Sequence, residues 1–560
     1  MNVRVIALLT ALPGLLVPAA AQQKMELWYW HHSYLTSTAA VQYSENLIDQ
    51  AAAAGYTGLA LWDTSVNALN LPGWPTQNVT YLQQVIEYAN AKGLKVMPLV
   101  APYGHSNDAL RRNPNWAEGQ RVTGTQFKVD AAGQTLQVMN SFPGLVNGGF
   151  ESGATGWFAY GDPGTVLDTS VSHTGLASGL ISGALNPSGN ARFFQQLNVI
   201  PWRQYHLRMY IKTQNFAGFS QIQIFDSANW AINKIDHPFN LPANQDWTQV
   251  DVTFNSGASS TLYLLMGVWG GNSGNAWFDD ISLEETALVY VLRRAGTPLK
   301  IYDPNNPATI YSEGADYNPI SDPKFATNPT FDNDNWHTPM TVTLPSGTRL
   351  RPGQIVAMEH YAVQPIYNEA VGMCLTDAGV QGWMSDNAKA VAAVFPPSGG
   401  YFFGHDEMRH MNSCASCKAK GMTAGQLLAW SVGQTIGVFN TVSPGAPIYI
   451  WSDMFDPYHN AHDNFYFVEG DIAGSWQGLP ANVAVMNWNL NNLKNSATWF
   501  SGTDPKQPVP HKQIIAGFYD GGNAAALAQT ELSQVSGVPG IAGMMYTTWR
   551  DDYSQLQGFA

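Results

Sequence analysis

The run Tyr401-Phe402-Phe403-Gly404-His405-Asp406-Glu407 ends three aromatic residues on a histidine and two adjacent carboxylates. Aromatic side chains ask for a buried strand, whereas ionisable groups are costly to bury unpaired, so the segment reads as a strand emerging into a polar cleft. Paired carboxylates at such a point can do general acid/base work on a neutral substrate, which makes Asp406 and Glu407 the candidate catalytic residues. The plainer alternative is a capped strand end whose acids bind backbone amides or Arg409.

Seven further strand ends carry comparable chemistry: His31-His32, Trp62-Asp63, Tyr103-Gly104-His105, Trp451-Ser452-Asp453, Asn487-Trp488-Asn489, Tyr519-Asp520 and Trp549-Arg550-Asp551. Aromatic rings stack on sugar faces while Asp, Asn and His hydrogen-bond hydroxyls, so the set suits a saccharide pocket. The candidate substrate-binding residues are His31, His32, His105, His405, Trp451, Asp453, Trp488, Tyr519, Trp549 and Asp551. Asp63 reads as a helix cap. His31, His105 and His405 could together bind a metal, but lone histidines more often hydrogen-bond substrate or core carbonyls.

The elements that must position these groups alternate. Strands are predicted at Met25 to Trp30, Thr57 to Trp62 and Leu94 to Val100, with a helix over Glu45 to Ala54 stopped by Gly55 and another capped by Thr80 and ended by Gly93. The alternation breaks near Gln120. It resumes with a helix from Ile366 to Leu375 continuing beyond Asp377, the strand at Tyr401, a helix boxed by Thr423 and Gln426, and strands at Pro447 to Trp451, Val483 to Trp488, Gln513 to Phe518 and Gly543 to Thr548. Eight strands predict an α/β fold, a (β/α)8 barrel divided between residues 22–125 and 366–560.

The interruption is too long for a crossover and reads as an insertion. Residues 145–285 show short alternating strands punctuated by Gly, Asn and Ser, the pattern of an all-β jelly-roll sandwich, and residues 286–365 a β-rich connector. Trp157, Trp202 and Trp269 are core or platform aromatics of that sandwich. Cys414-Ala415-Ser416-Cys417 has the spacing of a local disulfide or of two reduced structural thiols, with Cys374 buried and free. Zinc ranks behind these readings, since one CxxC is weak and its remaining ligands would have to come from His405 and His410.

In a chain of 560 residues the charged fraction is 12%, as is the aromatic fraction, and the formal charge is -14. Without a basic cluster the chain lacks the electrostatic footprint of a nucleic-acid binder, and a neutral polysaccharide or oligosaccharide is the expected partner. Arg4, the apolar run Val5 to Val17 and the small residues Ala19 to Ala21 predict an export signal over residues 1–21 and a secreted, extracellular or periplasmic location. No other run is long and apolar enough to span a bilayer, so no membrane partner is expected.

The sandwich is similar to carbohydrate-binding modules of the family 4, 9 and 22 type, through Leu145-Val146-Asn147-Gly148-Gly149-Phe150-Glu151 at its start and Ala276-Trp277-Phe278-Asp279-Asp280-Ile281-Ser282-Leu283 at its end. That resemblance implies a structural calcium bridging Glu151 and Asp280. The barrel, through Gly404-His405-Asp406-Glu407, Trp451-Ser452-Asp453-Met454-Phe455 and Tyr546-Thr547-Thr548-Trp549, resembles the family 20 glycoside hydrolases. It implies a retaining, substrate-assisted hydrolysis of 2-acetamido sugars without a catalytic cofactor. Glu407 would be the acid/base and Asp406 would orient the acetamido group, with Trp451, Trp488, Trp549 and Tyr519 around that group. The chain departs from the family in having His405 where a second Gly is usual, and His31 and His32 where a sugar-gripping Arg is expected. A sugar lacking the acetamido group would need a second carboxylate, Asp453 or Asp551. The alternative from another class is a non-catalytic carbohydrate-binding protein with a degenerate barrel.

Overall fold

The structure is a computed structural model that describes residues 25–560 except 141, 143, 158–161, 231, 325–335 and 368–369. The predicted export signal lies outside the described residues. Eight parallel strands close into a barrel in the order Glu26–Ser33, Gly58–Asp63, Lys95–Val100, Tyr401–Phe403, Ile448–Trp451, Val483–Asn487, Gln513–Phe518 and Ile541–Thr547, the last pairing with the first. These are called the first to eighth barrel strands below. Helices run between most of them, an arrangement compatible with the (β/α)8 expectation.

Side-chain alternation divides each strand between two cores. Trp28, Trp30, Ala60, Met97, Phe402, Trp451, Met486 and Met545 fill the barrel interior. Their sequence neighbours Tyr29, Leu59, Val96, Phe403, Ile450, Val485 and Tyr546 pack outward in the cluster shared with the surrounding helices. This parity decides which strand-end residues reach the cleft.

Three helix expectations are corrected. The first helix spans Thr38–Ala54 and begins before Glu45, because the Ser37 side chain accepts from the Ala40 amide. Thr80 is not a cap: the helix Thr76–Ala91 starts after Pro75, and the Thr80 hydroxyl bonds Thr76 O inside it. The helix expected from Ile366 is present only in its part beyond Asp377, and no helix covers the described residues between Ile366 and Leu375. Met373 bridges Ala117, the Cys374 amide donates to Trp116 O, and the helix Ala378–Val394 starts where the Asp377 carboxylate accepts from the Gly379 and Val380 amides. The apolar spacing there reflects burial of an extended segment. The capping box of Thr423 and Gln426 forms as expected.

Two β-rich bodies occupy the insertion. In the sandwich, the long strands Gln204–Asp226 and Thr261–Thr286 pair with each other and change outer partners along their length. The pairing slips between Trp269 and Asn272, where Gly270 and Gly271 have φ of 82° and 92° and permit the bend that an L side chain would resist. Phe150, Phe193, Tyr205, Phe254 and Phe278 lie in the sandwich core. The second body is a six-stranded sheet in which Gln120–Val129 pairs antiparallel with Ile355–Ala362. Residues 120–125 therefore belong to this sheet and not, as expected, to the first part of the barrel: entry and exit of the insertion are paired strands, a hydrogen-bonded neck.

Candidate functional site

The third and fourth barrel strands are stitched at their ends by Gly404 N to Val100 O (2.8 Å) and Tyr103 N to Gly404 O (2.6 Å), which brings His105 beside Asp406 and Glu407. Gly104 makes the approach feasible, since a Cβ there would collide with the Asp406 carbonyl oxygen. His105 Nε2 lies 3.4 Å from Glu407 Oε2 and 3.8 Å from Asp406 Oδ2. Arg409 Nη2 lies 2.8 Å from Glu407 Oε1, and its guanidinium sits over the rings of Tyr367 (4.5 Å) and Tyr466 (5.3 Å).

Behind this group Asp453 is fully buried. Its Oδ2 accepts from the Glu407 amide and from Asn460 Nδ2, each at 2.8 Å, and its Oδ1 from Trp488 Nε1 at 3.3 Å. Glu407 itself has φ of 43°, a left-handed conformation unusual for this residue type that the bond to Asp453 helps to hold.

The carboxylates sit in opposite electrostatic environments. Burial pushes Asp406 up to about 7; His105 opposes the shift, and Asp453 and Glu407 add to it. Burial also acts on Glu407, yet Arg409 and His105 bring it down to about 2. Asp453 is raised to about 6, mainly by burial. For His105 burial acts downward, but Glu407 and Asp406 outweigh it and raise the imidazole above its ordinary value. At neutral pH the site thus holds an ionised Glu407 next to a carboxyl that retains a proton much of the time.

Aromatic rings floor the cleft. Trp30 contacts Trp62, Trp451 and Trp549 at centroid distances of 5.7, 5.6 and 5.5 Å, Trp451 contacts Trp488 at 6.4 Å, and Trp549 is half exposed. His32 stacks on Trp62 at 4.7 Å and pairs with Asp551 at 3.5 Å. Asp406, Glu407, His105, Asp453, Trp451 and Trp488 are thereby brought together, with His32, Asp551 and Trp549 on the adjoining rim.

His31, His405 and Tyr519 are not part of it, which corrects three expectations. Each has the outward parity of its strand. His31 is buried with Nε2 2.9 Å from Ser44 Oγ, and burial brings it down to about 3. His405 is buried against Tyr103, likewise lowered to about 3. Tyr519 is buried and donates to Glu531 Oε2 at 2.6 Å. Of the two readings of Cys414 and Cys417 the structure has the reduced one: both are free and buried, as is Cys374. His410 bonds the Gln120 side chain and stands apart from them.

Several site residues escaped the sequence reading. Arg409 entered it only as a capping partner, and Tyr367, Tyr466 and Asn460 lie on irregular segments that no strand-end rule points to. The sandwich also contributes a wall. Its edge strand Asn233–Pro238 bridges Tyr367 through Asp236, and Lys234 Nζ sits 4.7 Å from the Phe467 ring of the barrel loops.

On the sandwich itself Trp230 is exposed and groups with Tyr263 (4.7 Å), Phe225 (5.5 Å) and Phe194 (6.4 Å) on one sheet face. Trp157 is core, and Trp202 is covered by Arg121 at 3.8 Å. Glu151 and Asp280 do not fit the expected calcium. Glu151 Oε1 accepts from the Leu176 (2.7 Å) and Ala177 (3.0 Å) amides, while Asp280 is taken up by His173 Nδ1 (2.6 Å) and Thr174 Oγ1 (2.7 Å). Donors and an imidazole stand where a cation would need free oxygens.

Residues 143–273 match the protein family described as "Carbohydrate binding domain". They form a carbohydrate-binding domain of the 4/9 type. Solved structures similar to this part include "Family 16 Carbohydrate Binding Module-2", at 21% identity over 25% of this chain and 97% of that one, with a TM-score of 0.20. Others are "CBM4 structure and function" (17%, 26% and 94%, TM-score 0.20) and a CBM22 xylan-binding domain from Paenibacillus barcinonensis (15%, 28% and 99%, TM-score 0.20). No curated protein matches the chain. Among the described residues no helix is long and apolar enough to cross a membrane.

Proposed function

We propose that the chain is an exported glycoside hydrolase whose barrel cleft cuts a polysaccharide or oligosaccharide held by the inserted carbohydrate-binding domain. The observation that carries this reading is the adjacency of Asp406 and Glu407 beside an aromatic floor, with Glu407 paired to Arg409 at 2.8 Å and to His105 at 3.4 Å while Asp406 has no such cation closer than His105 at 3.8 Å. Glycosidic cleavage needs one group to protonate the departing oxygen and another to meet positive charge at the anomeric carbon. Asp406 retains a proton near neutral pH and suits the first role, while Glu407, ionised by Arg409 and His105, suits the second. This reverses the assignment implied by resemblance to family 20, where the proton would be on Glu407. Trp62, Trp488 and Trp549, packed on the buried Trp30 and Trp451, offer apolar faces to pyranose rings, and His32 and Asp551 offer donors and acceptors at the rim.

A panel of aryl glycosides and polysaccharides tests the reading, with Asp406→Asn and Glu407→Gln as controls. Turnover on at least one substrate, reduced on the order of 100-fold or more in each variant, is expected. Binding of polysaccharide with no turnover across the panel would make the barrel a non-catalytic binder.

A further inference from the structure

We infer that Glu118, Cys374, Cys414 and Cys417 form a closed four-ligand site for a structural zinc ion. Their ligand atoms all lie within 4.8 Å of one another, and all four residues are buried. Cys374 Sγ is 3.5 Å from Cys414 Sγ and 3.6 Å from Cys417 Sγ, and Cys417 Sγ is 3.6 Å from Glu118 Oε2. A disulfide would bring two sulfurs to about 2.05 Å. A tetrahedron with zinc–sulfur bonds of about 2.3 Å has edges near 3.8 Å, close to the three separations found.

The carboxylate is prepared for such a role. Glu118 Oε1 accepts from Ser413 N (2.9 Å), Ser413 Oγ (2.9 Å) and Cys414 N (2.8 Å), which fixes the group and turns Oε2 to the thiols. Ligands of structural metals are commonly oriented by such outer bonds. Arg294 is held at the cluster by Ala117 O (3.1 Å) and Ser416 Oγ (3.3 Å), where its charge offsets the excess negative charge of three thiolates and a carboxylate on a divalent ion. Thiolate-rich, fully buried and with no open position, the set suits zinc in a structural and not a catalytic capacity.

Its place in the fold says what the ion would do. Glu118 precedes the first strand of the neck, Cys374 follows the last, and Cys414 at the N-cap and Cys417 within the short helix Ala415–Lys418 come after the loop that carries Glu407 and Arg409. One ion would tie both ends of the insertion to that loop. The inference stands on these residues alone and does not depend on the hydrolase reading.

Elemental analysis and cobalt(II) substitution of the full-length protein test it. About one zinc per chain is expected, with thiolate-to-cobalt charge-transfer absorption after exchange and three thiols titrating once the protein is denatured with chelator. Cys374→Ser and Glu118→Gln should lose the metal, and Ser413→Ala should weaken its affinity about 10–100-fold. If these variants fail to fold, stoichiometry and the cobalt spectrum of the unaltered protein decide. Protein that retains no metal and gives no charge-transfer band, or that shows a disulfide among the three cysteines by mass spectrometry, overturns the inference.

Discussion

The backbone N–H of Glu407 donates to Asp453 Oδ2 at 2.8 Å, so the loop after the fourth barrel strand is hung on the residue that follows the fifth. Asp453 also takes Asn460 and Trp488, and it orders one catalytic candidate together with part of the aromatic floor. Asp453→Ala would leave these donors without their acceptor. A loss of about 1–3 kcal/mol is expected in denaturant titration, together with a fall in turnover larger than any change in substrate affinity. Unchanged stability would show that the carboxylate is not the organiser of the loop.

Asp406 and Glu407 should pull stability in opposite directions with pH. For Asp406 the folded value, about 7, lies above the unfolded one, so the folded state holds an extra proton between roughly pH 4 and pH 7 and stability falls as pH rises through that window. Glu407, brought down to about 2, contributes stability that is present above its unfolded value and is lost as pH falls toward 2. Asp406→Asn should accordingly raise the melting temperature at pH 8 and do so less at pH 4. In the hydrolase reading, activity should decline above about pH 7 as Asp406 loses its proton, which a pH profile of kcat/KM on any accepted substrate would reveal.

Much of the barrel was legible because its strands are apolar runs with the residues of polar ends attached, and the sandwich because both terminal motifs survive in the chain. The misassigned residues share one cause. A strand end was read as a list of side chains, whereas alternation sends successive residues to opposite faces. Trp28, Trp30 and His32 share the inward parity, which His31 lacks; Phe402, Gly404 and Asp406 share it, which His405 lacks. That signal was available in the sequence. The convergence of Glu118 with the three cysteines was not, because it joins segments separated by the insertion and no local pattern reports on such a contact.

Parity supplies a contrast between two aromatic substitutions. Tyr519→Phe removes the donor to a buried Glu531 carboxylate and should cost about 1–3 kcal/mol of stability while sparing turnover and ligand binding. Trp549→Ala, at a ring half exposed over Trp30, should leave the melting temperature nearly unchanged and weaken saccharide binding in the cleft. Paired melting curves and binding isotherms on the two variants separate the faces, and loss of binding in Tyr519→Phe would return that residue to the site.

The last prediction concerns the sheet face of the sandwich. Trp230 is exposed beside Tyr263, Phe225 and Phe194, a spacing that lets consecutive sugar rings lie across the group, and aromatic stacking is the principal attraction available there for an uncharged polymer. Trp230→Ala and Tyr263→Ala in the full chain should reduce polysaccharide retention in affinity electrophoresis on the order of 10-fold or more, since the stacking contacts are the ones that desolvate. Turnover of a small aryl glycoside, which reaches only the barrel cleft, should stay within about two-fold of the unaltered protein. Equal loss on polymer and small substrate would mean that this face acts through the fold and not through the ligand, and retention unchanged in both variants would move the binding surface elsewhere on the domain.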